Sequence, residues 1–372
     1  MTKLKVVDLF CGCGGLSHGF LDAGFDVLIG VDEDEAALKT YKLNHKDTIA
    51  YKGDLHNDKT IDEIYNLIKP KINEDGLDLV IGGPPCQGFS LTGSRDINDT
   101  RNTLYLAVVK CVKKFKPKAF LIENVPGIAT LYKGKVKTQI INTFEEMDDV
   151  SYRVSVTEKP LLAADYGVPQ MRKRMFFVGI REDIFKEKGY KFEFPEPTHN
   201  INNYITCEQA IGDLPSREDD LGIEVDTYDK EPFSQYQKEM RKNESTLYNH
   251  VATNHTELVK NTIALVPEGG NHKDLPPGVG ESRKFNEAWT RYHSNKPSKT
   301  IDTGHRNHFH YKYNRVPTIR ENARLQSFPD DFVFLGNKTQ QNRQVGNAVP
   351  PRLAYKIAMQ IKEYLNDGDK NE

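Results

Sequence analysis

Residues 5–32 read KVVDLFCGCGGLSHGFLDAGFDVLIGVD, and this stretch decides the fold class. An apolar run at residues 5–10 leads into a glycine cluster, and residues 16–23 then have the pattern of a helix. A second apolar run, at residues 27–31, ends on Asp32. A strand, a glycine-rich turn, a helix and a second strand in this order are typical of a βαβ unit in a parallel sheet.

The same alternation continues along the chain. Further helices are predicted at residues 35–43, 104–114, 136–147 and 351–365, and further strands at residues 77–81, 119–122 and 175–179. Strands that alternate with helices predict an α/β fold, with a Rossmann-like, mostly parallel sheet and helices on both of its faces.

Composition limits the class of protein. The chain has 372 residues, of which 37% are hydrophobic and 28% charged, and a formal net charge of −2. That length predicts two domains. The chain has no run of about 18 apolar residues and no pattern of a signal peptide, so neither a membrane span nor secretion is expected. Five cysteines are too few for a disulfide scaffold, which favours the reducing cytoplasm.

The pattern changes near residue 181, beyond which the chain is polar and interrupted by proline and glycine. Within this region, residues 283–324 carry ten Lys and Arg against three acidic residues, a balance of +7. We therefore predict a smaller, irregular domain at residues 183–330. The first domain would consist of residues 1–182 together with residues 331–372.

The glycine-rich turn is predicted to hold a nucleotide-type cofactor. Gly12, Gly14 and Gly15 allow the backbone to approach a ligand, and the N-terminus of a helix follows them. Asp32 lies 20 residues beyond Gly12, where a carboxylate is able to bind both hydroxyls of a ribose. The turn does not distinguish a dinucleotide from S-adenosylmethionine.

Residues 82–90 read GGPPCQGFS and present a cysteine directly after a strand. Pro84 and Pro85 restrict the backbone, so Cys86 is expected at the carboxyl end of the sheet, where open α/β folds keep their sites. A single cysteine is more often a small buried hydrophobic residue. The rigid turn, the strand end and the small residues that follow favour a nucleophile instead.

An acid and two arginines accompany later strands. Glu123 comes after four apolar residues, and Arg172 and Arg174 lie on either side of Lys173, just before another apolar run. Strand alternation would direct both guanidinium groups to one face, toward an anion or a polarised carbonyl. The alternatives are a structural salt bridge for Glu123 and a solvated strand edge for the arginines.

Six segments occur in the order seen in the DNA (cytosine-5)-methyltransferases, and they resemble in particular the bacterial modification methylases. They are DLFCGCGG at residues 8–15, PPCQ at 84–87, ENV at 123–125, QMRKR at 170–174, RENARLQSFPD at 320–330 and QVGNAVPP at 344–351. The similarity extends from residue 5 to about residue 360. Its gap at residues 183–290 coincides with the variable target-recognition region of that family.

The resemblance implies an enzyme that transfers a methyl group from S-adenosylmethionine to C5 of one cytosine in double-stranded DNA, leaving S-adenosylhomocysteine. The cytosine would be flipped out of the base stack. Cys86 would be the nucleophile that adds to C6, and Glu123 would bind the N3/N4 edge of the base. Arg174, with Arg172, would hold the O2 side and the cysteine loop. Addition of a thiolate at C6 makes C5 nucleophilic and splits one difficult step into two.

For the cofactor, the resemblance puts Phe10 against the adenine, Asp32 on the ribose and Asn347 near the methionine end. The full set implied by the resemblance is Phe10, Gly12, Gly14, Gly15, Asp32, Glu33, Asp54, Leu55, Pro84 and Asn347. Glu33 departs from the aromatic or apolar residue that relatives often have at its position.

DNA contacts are expected from Ser90 and Arg101, which flank the loop after Cys86, and from the basic residues 283–324 beside phosphates. The family further implies a monomer without a metal ion that works on DNA in the bacterial cytoplasm. A cognate restriction endonuclease would be its functional partner.

Four other functions stay open at this point. A tRNA cytosine-5 methyltransferase shares the catalytic frame, although its recognition region is shorter than residues 183–314. A dinucleotide oxidoreductase explains the glycine turn and leaves Cys86 unexplained. An adenine or N4-cytosine methylase would carry an aromatic residue in place of Cys86. A catalytically inactive DNA-binding protein would have no need of Cys86 and Glu123.

Overall fold

The computed structural model describes residues 3–72, 76–84, 104–129, 134–242, 245–281, 285, 287–304 and 307–366. Within them the chain forms two compact units. The first unit comprises the chain up to Leu162, Lys173–Glu196 and the segment from Leu353 onward. The second comprises Ala163–Arg172 and Pro197–Arg352.

One sheet forms the centre of the first unit. Its described strands are β1 (Lys5–Leu9), β2 (Asp26–Asp32), β3 (Ile49–Lys52), β4 (Leu79–Gly82), β5 (Ala119–Asn124), β6 (Tyr152–Val156), β7 (Leu161–Leu162) and β8 (Lys173–Arg181). Their order is β3-β2-β1-β4-β5-β8-β6, and β7 pairs with β8. β1 to β5 run parallel, whereas β8 is antiparallel to β5, β6 and β7.

The central strands are covered on both faces. β4 and β5 are buried at every position, which is typical of apolar parallel strands between layers of helices. Phe120 of β5 lies directly across from Gly179 of β8, and a Cβ on this glycine would lie 2.0 Å from the Phe120 ring. The absence of a side chain at Gly179 therefore makes room for the ring, which also packs against Phe144 with ring centroids 4.1 Å apart.

The helices of the first unit follow the strands in sequence. They are α1 (Gly15–Asp22), α2 (Glu35–Asn44), α3 (Asp58–Ile68), α4 (Leu104–Phe115), α5 (Lys135–Glu145) and α6 (Glu182–Lys188). α2 begins after Asp34, whose side chain accepts a hydrogen bond from the Ala36 N–H. α3 buries Ile61, Ile64 and Ile68, whose spacing of three and four residues puts them on one face.

The second unit is built from short elements and long connections. They are α7 (Cys207–Ile211), β9 (Val225–Thr227), α8 (Gln235–Arg241), β10 (Thr246–Tyr248), α9 (Glu257–Ala264), β11 (Thr290–Arg291), β12 (His308–Phe309), α10 (Ile319–Leu325) and α11 (Lys338–Asn347). β9 pairs antiparallel with β10, and β11 pairs parallel with β12. The last helix, α12 (Pro351–Asn366), belongs to the first unit from Leu353 onward.

Buried arginines organise the second unit. Arg324 is fully buried and binds both Asp213 and Asp330, with N–O distances between 2.6 and 3.3 Å. Arg315 binds Glu321 through two nitrogens, at 2.8 and 2.6 Å. An unpaired buried charge is strongly destabilising. Each arginine is therefore expected to keep its own segment packed against the segment that carries its acidic partner.

The predicted strands and helices of the first half are confirmed, with small shifts at their ends. β3, β6, β7 and α3 were not predicted, and the strand expected at residues 175–179 is longer and antiparallel to β5. The compact units differ from the predicted domain ranges at residues 163–172, 183–196 and 331–352. One reason is that α11, within the last of these ranges, packs on α10. The role of the second unit in target recognition stays a prediction.

Candidate active site

The candidate site lies where the strand order of the first unit reverses. From β1 the chain moves to β2 and β3 on one side, and then crosses to β4 on the other side of β1. Leu9 at the end of β1 pairs with Gly82 at the end of β4, so the two turns that follow start side by side. Open α/β sheets bind their ligands in the crevice beyond such a switch point.

The turn after β1 has an unusual backbone. Phe10, Gly12 and Gly14 have positive φ angles of 56°, 54° and 97°. Phe10 is not a glycine, and a left-handed conformation at such a residue costs free energy and is enriched at functional sites. A Cβ on Gly12 would meet no described atom within 4 Å, so the backbone there is open to an approaching ligand.

Asp32 holds this turn from the end of the next strand. Its Oδ2 accepts the Gly12 N–H at 2.8 Å, and its Oδ1 accepts the Asp34 N–H at 2.8 Å. Partial burial raises the pKa of Asp32, while these two backbone donors act in the opposite direction. Each oxygen keeps a further lone pair, so the carboxylate is able to accept hydrogen bonds from two neighbouring hydroxyls. The residues present therefore fit the ribose of a nucleoside cofactor.

Glu33 and Asp54 lie together beside Asp32. The Gly53 N–H donates to the Asp32 carbonyl at 3.1 Å, which continues the pairing of β2 with β3 past the strand ends. Partial burial and the neighbouring Asp54 carboxylate raise the pKa of Glu33. Both acids are exposed, whereas Leu55 is buried. This edge of the site is therefore acidic, with an apolar residue behind it.

The turn after β4 begins next to Glu123. A Cβ on Gly83 would lie 3.3 Å from Glu123 Oε2, and the following Pro84 is buried. Three residues predicted for the site lie outside the described residues: Cys86, Ser90 and Arg101. The described chain thus leaves β4 beside the Glu123 carboxylate, three residues before Cys86.

Glu123 and Arg174 form an ion pair on the sheet. Glu123, near the end of β5, is in register with Phe176 of β8, which makes Arg174 its diagonal neighbour. Arg174 Nε lies 2.5 Å from Glu123 Oε1, and the two side chains are 15% and 11% exposed. Because Oε1 faces the guanidinium and Oε2 lies next to Gly83, the carboxylate stands between β8 and the turn that leads to Cys86.

Arg172 belongs to the second unit and has different partners from Arg174. Its Nη1 donates to the Gly346 carbonyl at 3.0 Å, and its Nη2 to the Asn347 carbonyl at 3.4 Å. The Arg172 side chain, 1% exposed, therefore binds the end of α11. Asn347 is an exposed residue of the same unit. The roles expected for Arg172 at the base and for Asn347 at the cofactor stay predictions.

Comparison with known proteins decides between several of the candidate functions. A family model described as C-5 cytosine-specific DNA methylase matches residues 4–363. The chain belongs to this family. The Type II methyltransferase M1.HphI of Haemophilus parahaemolyticus is 40% identical to this methylase over 363 residues, covering 96% of this chain and 86% of the relative. M.DdeI of Desulfomicrobium norvegicum is 37% identical over 387 residues, covering 98% and 90%.

A solved structure supports the same assignment. It is described as a DNA modification methyltransferase encoded within a prophage, from E. coli. It matches the methylase with a TM-score of 0.78 at 28% identity and covers 98% of this chain and 100% of the solved one. The methylase is therefore a DNA cytosine-5 methyltransferase with a methyltransferase α/β fold, and its family implies catalysis with S-adenosylmethionine. The oxidoreductase and the adenine or N4-cytosine methylase are excluded.

The basic stretch of the methylase, residues 283–324, does not present all its charge to solvent. Four of its arginines are buried in the second unit: Arg291, Arg315, Arg320 and Arg324. They bind carbonyl oxygens or carboxylates there. The exposed cations among its described residues are Lys296, Lys299 and Lys312. The expectation that this stretch faces phosphates is wrong for the four arginines, because a count of charges does not reveal which are neutralised internally.

Two buried polar groups beside the site were not predicted. Asp8 is fully buried in β1, and its Oδ1 has no hydrogen-bond partner among the described residues. Burial raises the pKa of Asp8 to about 7. Asn124 is 1% exposed; its Oδ1 accepts the Val125 N–H, while its Nδ2 finds no partner in the described part of the chain. A charged residue inside the apolar run VVDLF was the available signal for Asp8.

Three further kinds of feature in the described residues bear on function: other surface hollows, metal sites and membrane-spanning helices. A surface hollow of about 560 Å³ lies along α5, and none of the predicted site residues lines it. No group of three or more His, Cys, Asp or Glu in the described part of the methylase is arranged to hold a metal ion. Its described helices include none that is long and apolar enough to cross a membrane.

Proposed function

We propose that this methylase is the modification enzyme of a type II restriction–modification system. It methylates C5 of one cytosine within a specific double-stranded DNA sequence, with that cytosine flipped out of the helix and joined through C6 to Cys86. The names of its relatives at 37% and 40% identity, both Type II methyltransferases, support the assignment to such a system. A cognate endonuclease would be its functional partner, and the methylase would act as a monomer in the bacterial cytoplasm.

The position of Glu123 is the observation that carries this proposal. One carboxylate oxygen is paired with Arg174, and the other lies next to Gly83, at the switch point of the sheet. A cytosine whose N3/N4 edge binds the second oxygen would be held next to Gly83, at the start of the segment that leads to Cys86. The proposal needs this proximity, because the acid and the nucleophile act on the same ring.

The proposed chemistry begins with the thiolate of Cys86. Its sulfur forms a bond to C6, the electrons of the C5–C6 double bond move to C5, and N3 gains a proton through its hydrogen bond with Glu123. C5 then takes the methyl group, and the electrons of the broken bond stay on the sulfur of the donor. A base removes the C5 proton, N3 returns its proton to Glu123, the C5–C6 double bond re-forms and the thiolate leaves. Positioned proton transfer of this kind contributes roughly 10²–10⁴-fold to a rate.

The proposed cofactor site is formed by residues of the first unit. S-adenosylmethionine supplies an electrophilic methyl group when it is bound. Asp32 would accept the ribose hydroxyls, Phe10 would pack on the adenine, and Asp54 would accept from the adenine amino group. The rest of the proposed set gives the ligand space or lines the site: Gly12, Gly14, Gly15, Glu33, Leu55 and Pro84. The place of Asn347 near the methionine end rests on the family resemblance.

DNA recognition is proposed to divide between general and specific contacts. C5 and C6 of a stacked cytosine are out of reach of a side chain, so the base has to leave the stack. Side chains from the connections of the second unit would read base edges. Exposed lysines of that unit, together with Ser90 and Arg101, would bind phosphates and make the affinity dependent on salt.

Substitution of the nucleophile tests this function. Cys86→Ala is expected to abolish transfer of tritiated methyl groups to duplex DNA and to leave DNA binding within about twofold, because the thiolate acts only in the chemical step. Cys111→Ala is the matched control, since Cys111 is a fully buried residue of α4 in the first unit.

Two results would contradict the proposal. One is unchanged turnover in Cys86→Ala, and the other is methylation of tRNA in preference to duplex DNA by the wild-type chain. Bisulfite sequencing of DNA from an expressing host then identifies the methylated cytosine and its sequence context.

A further inference from the structure

A chain of hydrogen bonds between buried side chains lies beneath the glycine-rich turn. Asp8 of β1, Ser17 of α1 and Tyr41 of α2 are all 0% exposed. Ser17 Oγ lies 2.6 Å from Asp8 Oδ2 and 2.8 Å from the Tyr41 hydroxyl oxygen. Three polar groups thus join the strand before the turn, the helix after it and the helix of the next βα unit.

When Asp8 is an ionised carboxylate, it only accepts hydrogen bonds, and this fixes which group donates in each of the two hydrogen bonds. The Ser17 hydroxyl has a single proton, which it donates to Asp8. Tyr41 then has to donate its own proton to Ser17 Oγ, because no other proton is available between those two oxygens. Each member therefore depends on its neighbour, and removal of one leaves a buried polar group without its partner.

Tyr41 and the nearby His45 form the floor of the turn at Gly14. A Cβ on Gly14 would lie 2.2 Å from His45 Cε1 and 2.9 Å from Tyr41 Cδ2. His45 Nδ1 lies 3.0 Å from the Tyr41 carbonyl oxygen, and the two ring centroids are 4.4 Å apart. Tyr41 also packs in one cluster with Cys11 of the turn. The Tyr41 ring therefore packs, together with His45, against the backbone of the turn.

We propose that Ser17 and Tyr41 are positioning residues for the cofactor. Their hydrogen bonds hold the Tyr41 ring under Gly14, so that the start of α1 and the open side of Gly12 are presented to the ligand. Both side chains are fully buried and therefore act through the turn, without contact to the ligand. This inference rests on the proposed function, which makes the turn the site of S-adenosylmethionine.

Loss of the Tyr41 hydroxyl is expected to weaken cofactor binding. Tyr41→Phe leaves Ser17 without its donor and removes the hydrogen bond that links the ring to Ser17 and Asp8. We expect the KM for S-adenosylmethionine to rise about tenfold, which is the order of effect of one buried hydrogen bond. The kcat and the KM for duplex DNA stay within roughly twofold, because Cys86 and Glu123 are unchanged. Ser17→Ala breaks both bonds and is expected to have at least the same effect.

Tyr152→Phe is the matched control. Tyr152 is 1% exposed in the same unit, and its hydroxyl donates to the Pro117 carbonyl at 2.9 Å. This variant removes the same atom from a buried tyrosine whose hydroxyl makes no hydrogen bond to the glycine-rich turn within the described residues. Both phenylalanine variants should lower the Tm to a similar extent, while only Tyr41→Phe should change the KM for S-adenosylmethionine.

The experiment measures binding of S-adenosylhomocysteine to the full chain by calorimetry, together with both KM values, kcat and Tm. Weaker binding in Tyr41→Phe and Ser17→Ala, with wild-type affinity in Tyr152→Phe, supports the inference. Wild-type affinity in the folded Tyr41 and Ser17 variants overturns it, and so does equal weakening in all three variants, which would reflect stability alone. Failure of the wild-type chain to bind S-adenosylhomocysteine would overturn the proposed function, and this inference with it.

Discussion

Arg324 of the second unit and Arg174 of the first both bind carboxylates, but they use their nitrogens differently. Arg324 is fully buried and donates through Nε and both terminal nitrogens to Asp213 and Asp330. Arg174 approaches Glu123 at 2.5 Å through Nε, and the second oxygen of Glu123 lies next to a glycine of the turn after β4. The nitrogens of Arg324 all have acceptors in the second unit, whereas among the described residues Glu123 pairs with Arg174 through only one of its two oxygens.

The difference shows how similar residue pairs serve stability or chemistry. A buried carboxylate whose oxygens all accept hydrogen bonds from the protein holds segments of the chain together. Removing such a pair lowers the free energy of unfolding. A carboxylate at a crevice with unused acceptor capacity is a candidate for reaction chemistry. Glu123 and Arg324 should therefore respond to substitution in opposite ways, in activity and in stability.

The largest effect is expected for Glu123→Gln. The variant keeps the shape of the side chain but loses the acid that serves N3, so kcat should fall roughly 10²–10⁴-fold. The free energy of unfolding should fall by less than in a variant of Arg324, because the amide oxygen of the glutamine is still able to accept a hydrogen bond from Arg174. Methyl transfer to duplex DNA and urea denaturation measure the two quantities. Glu187→Gln, at an exposed position of α6, is the control. A normal kcat in Glu123→Gln would show that Glu123 does not act on the base.

The opposite response is expected for Arg324→Met. Loss of the guanidinium removes the cation that Asp213 and Asp330 share and leaves each acid with one other arginine, Arg241 at 2.7 Å and Arg320 at 3.7 Å. The broken buried network should lower the free energy of unfolding by roughly 3–5 kcal/mol. Urea denaturation of the full chain measures this loss. Lys238→Met, at an exposed position of α8 in the same unit, should cost less than about 0.5 kcal/mol. Equal losses in the two variants would mean that the buried network does not hold the second unit together.

Asp8 is a third kind of carboxyl group, because it is fully buried and one of its oxygens has no hydrogen-bond partner in the described part of the chain. Burial raises its pKa from 3.8 to about 7, so between these values the folded state holds a proton that the unfolded state has lost. Its contribution to stability is therefore complete at low pH and is lost as the pH rises through 7. The expected loss between pH 5 and pH 7 is about 2 kcal/mol.

An Asp8→Asn variant isolates this effect. The amide resembles the protonated acid, so the free energy of unfolding of the variant, relative to wild type, should rise by that amount between pH 5 and pH 7. Asp47→Asn, at an exposed position, should follow the wild-type pH profile. Parallel profiles for wild type and Asp8→Asn would show that Asp8 is ionised in the folded protein throughout this range.

The features predicted from the sequence are those with a local signal. β1, β2, β4 and β5 are short apolar runs bounded by glycine or an acid, and each was found close to its predicted position. The glycine turn and Asp32 follow directly from that alternation. Glu123 was identified because an acid after four apolar residues needs a cation or a cleft, and the structure provides Arg174 as the cation.

The features that were missed depend on pairing between distant segments. Arg324 binds Asp213, which lies 111 residues earlier, and a count of charges over residues 283–324 does not contain that information. Arg172 binds carbonyls at residues 346 and 347, although strand alternation suggested that it shares the surroundings of Arg174. β3 was missed because a four-residue strand that is not fully buried carries too little apolar signal.

The proposed mechanism requires that the sulfur of Cys86 forms a bond to C6 of the target cytosine. The most direct measurement uses a duplex with 5-fluorocytosine at the methylated position, incubated with the full chain and S-adenosylmethionine. With fluorine at C5 there is no proton for the base to remove, so the enzyme stays bonded to C6 and the adduct should persist on a denaturing gel. Mass spectrometry should show the oligonucleotide attached to Cys86. It should be absent in Cys86→Ala and present in Cys111→Ala. Normal C5 methylation of ordinary duplex DNA without any adduct on Cys86 would contradict the account.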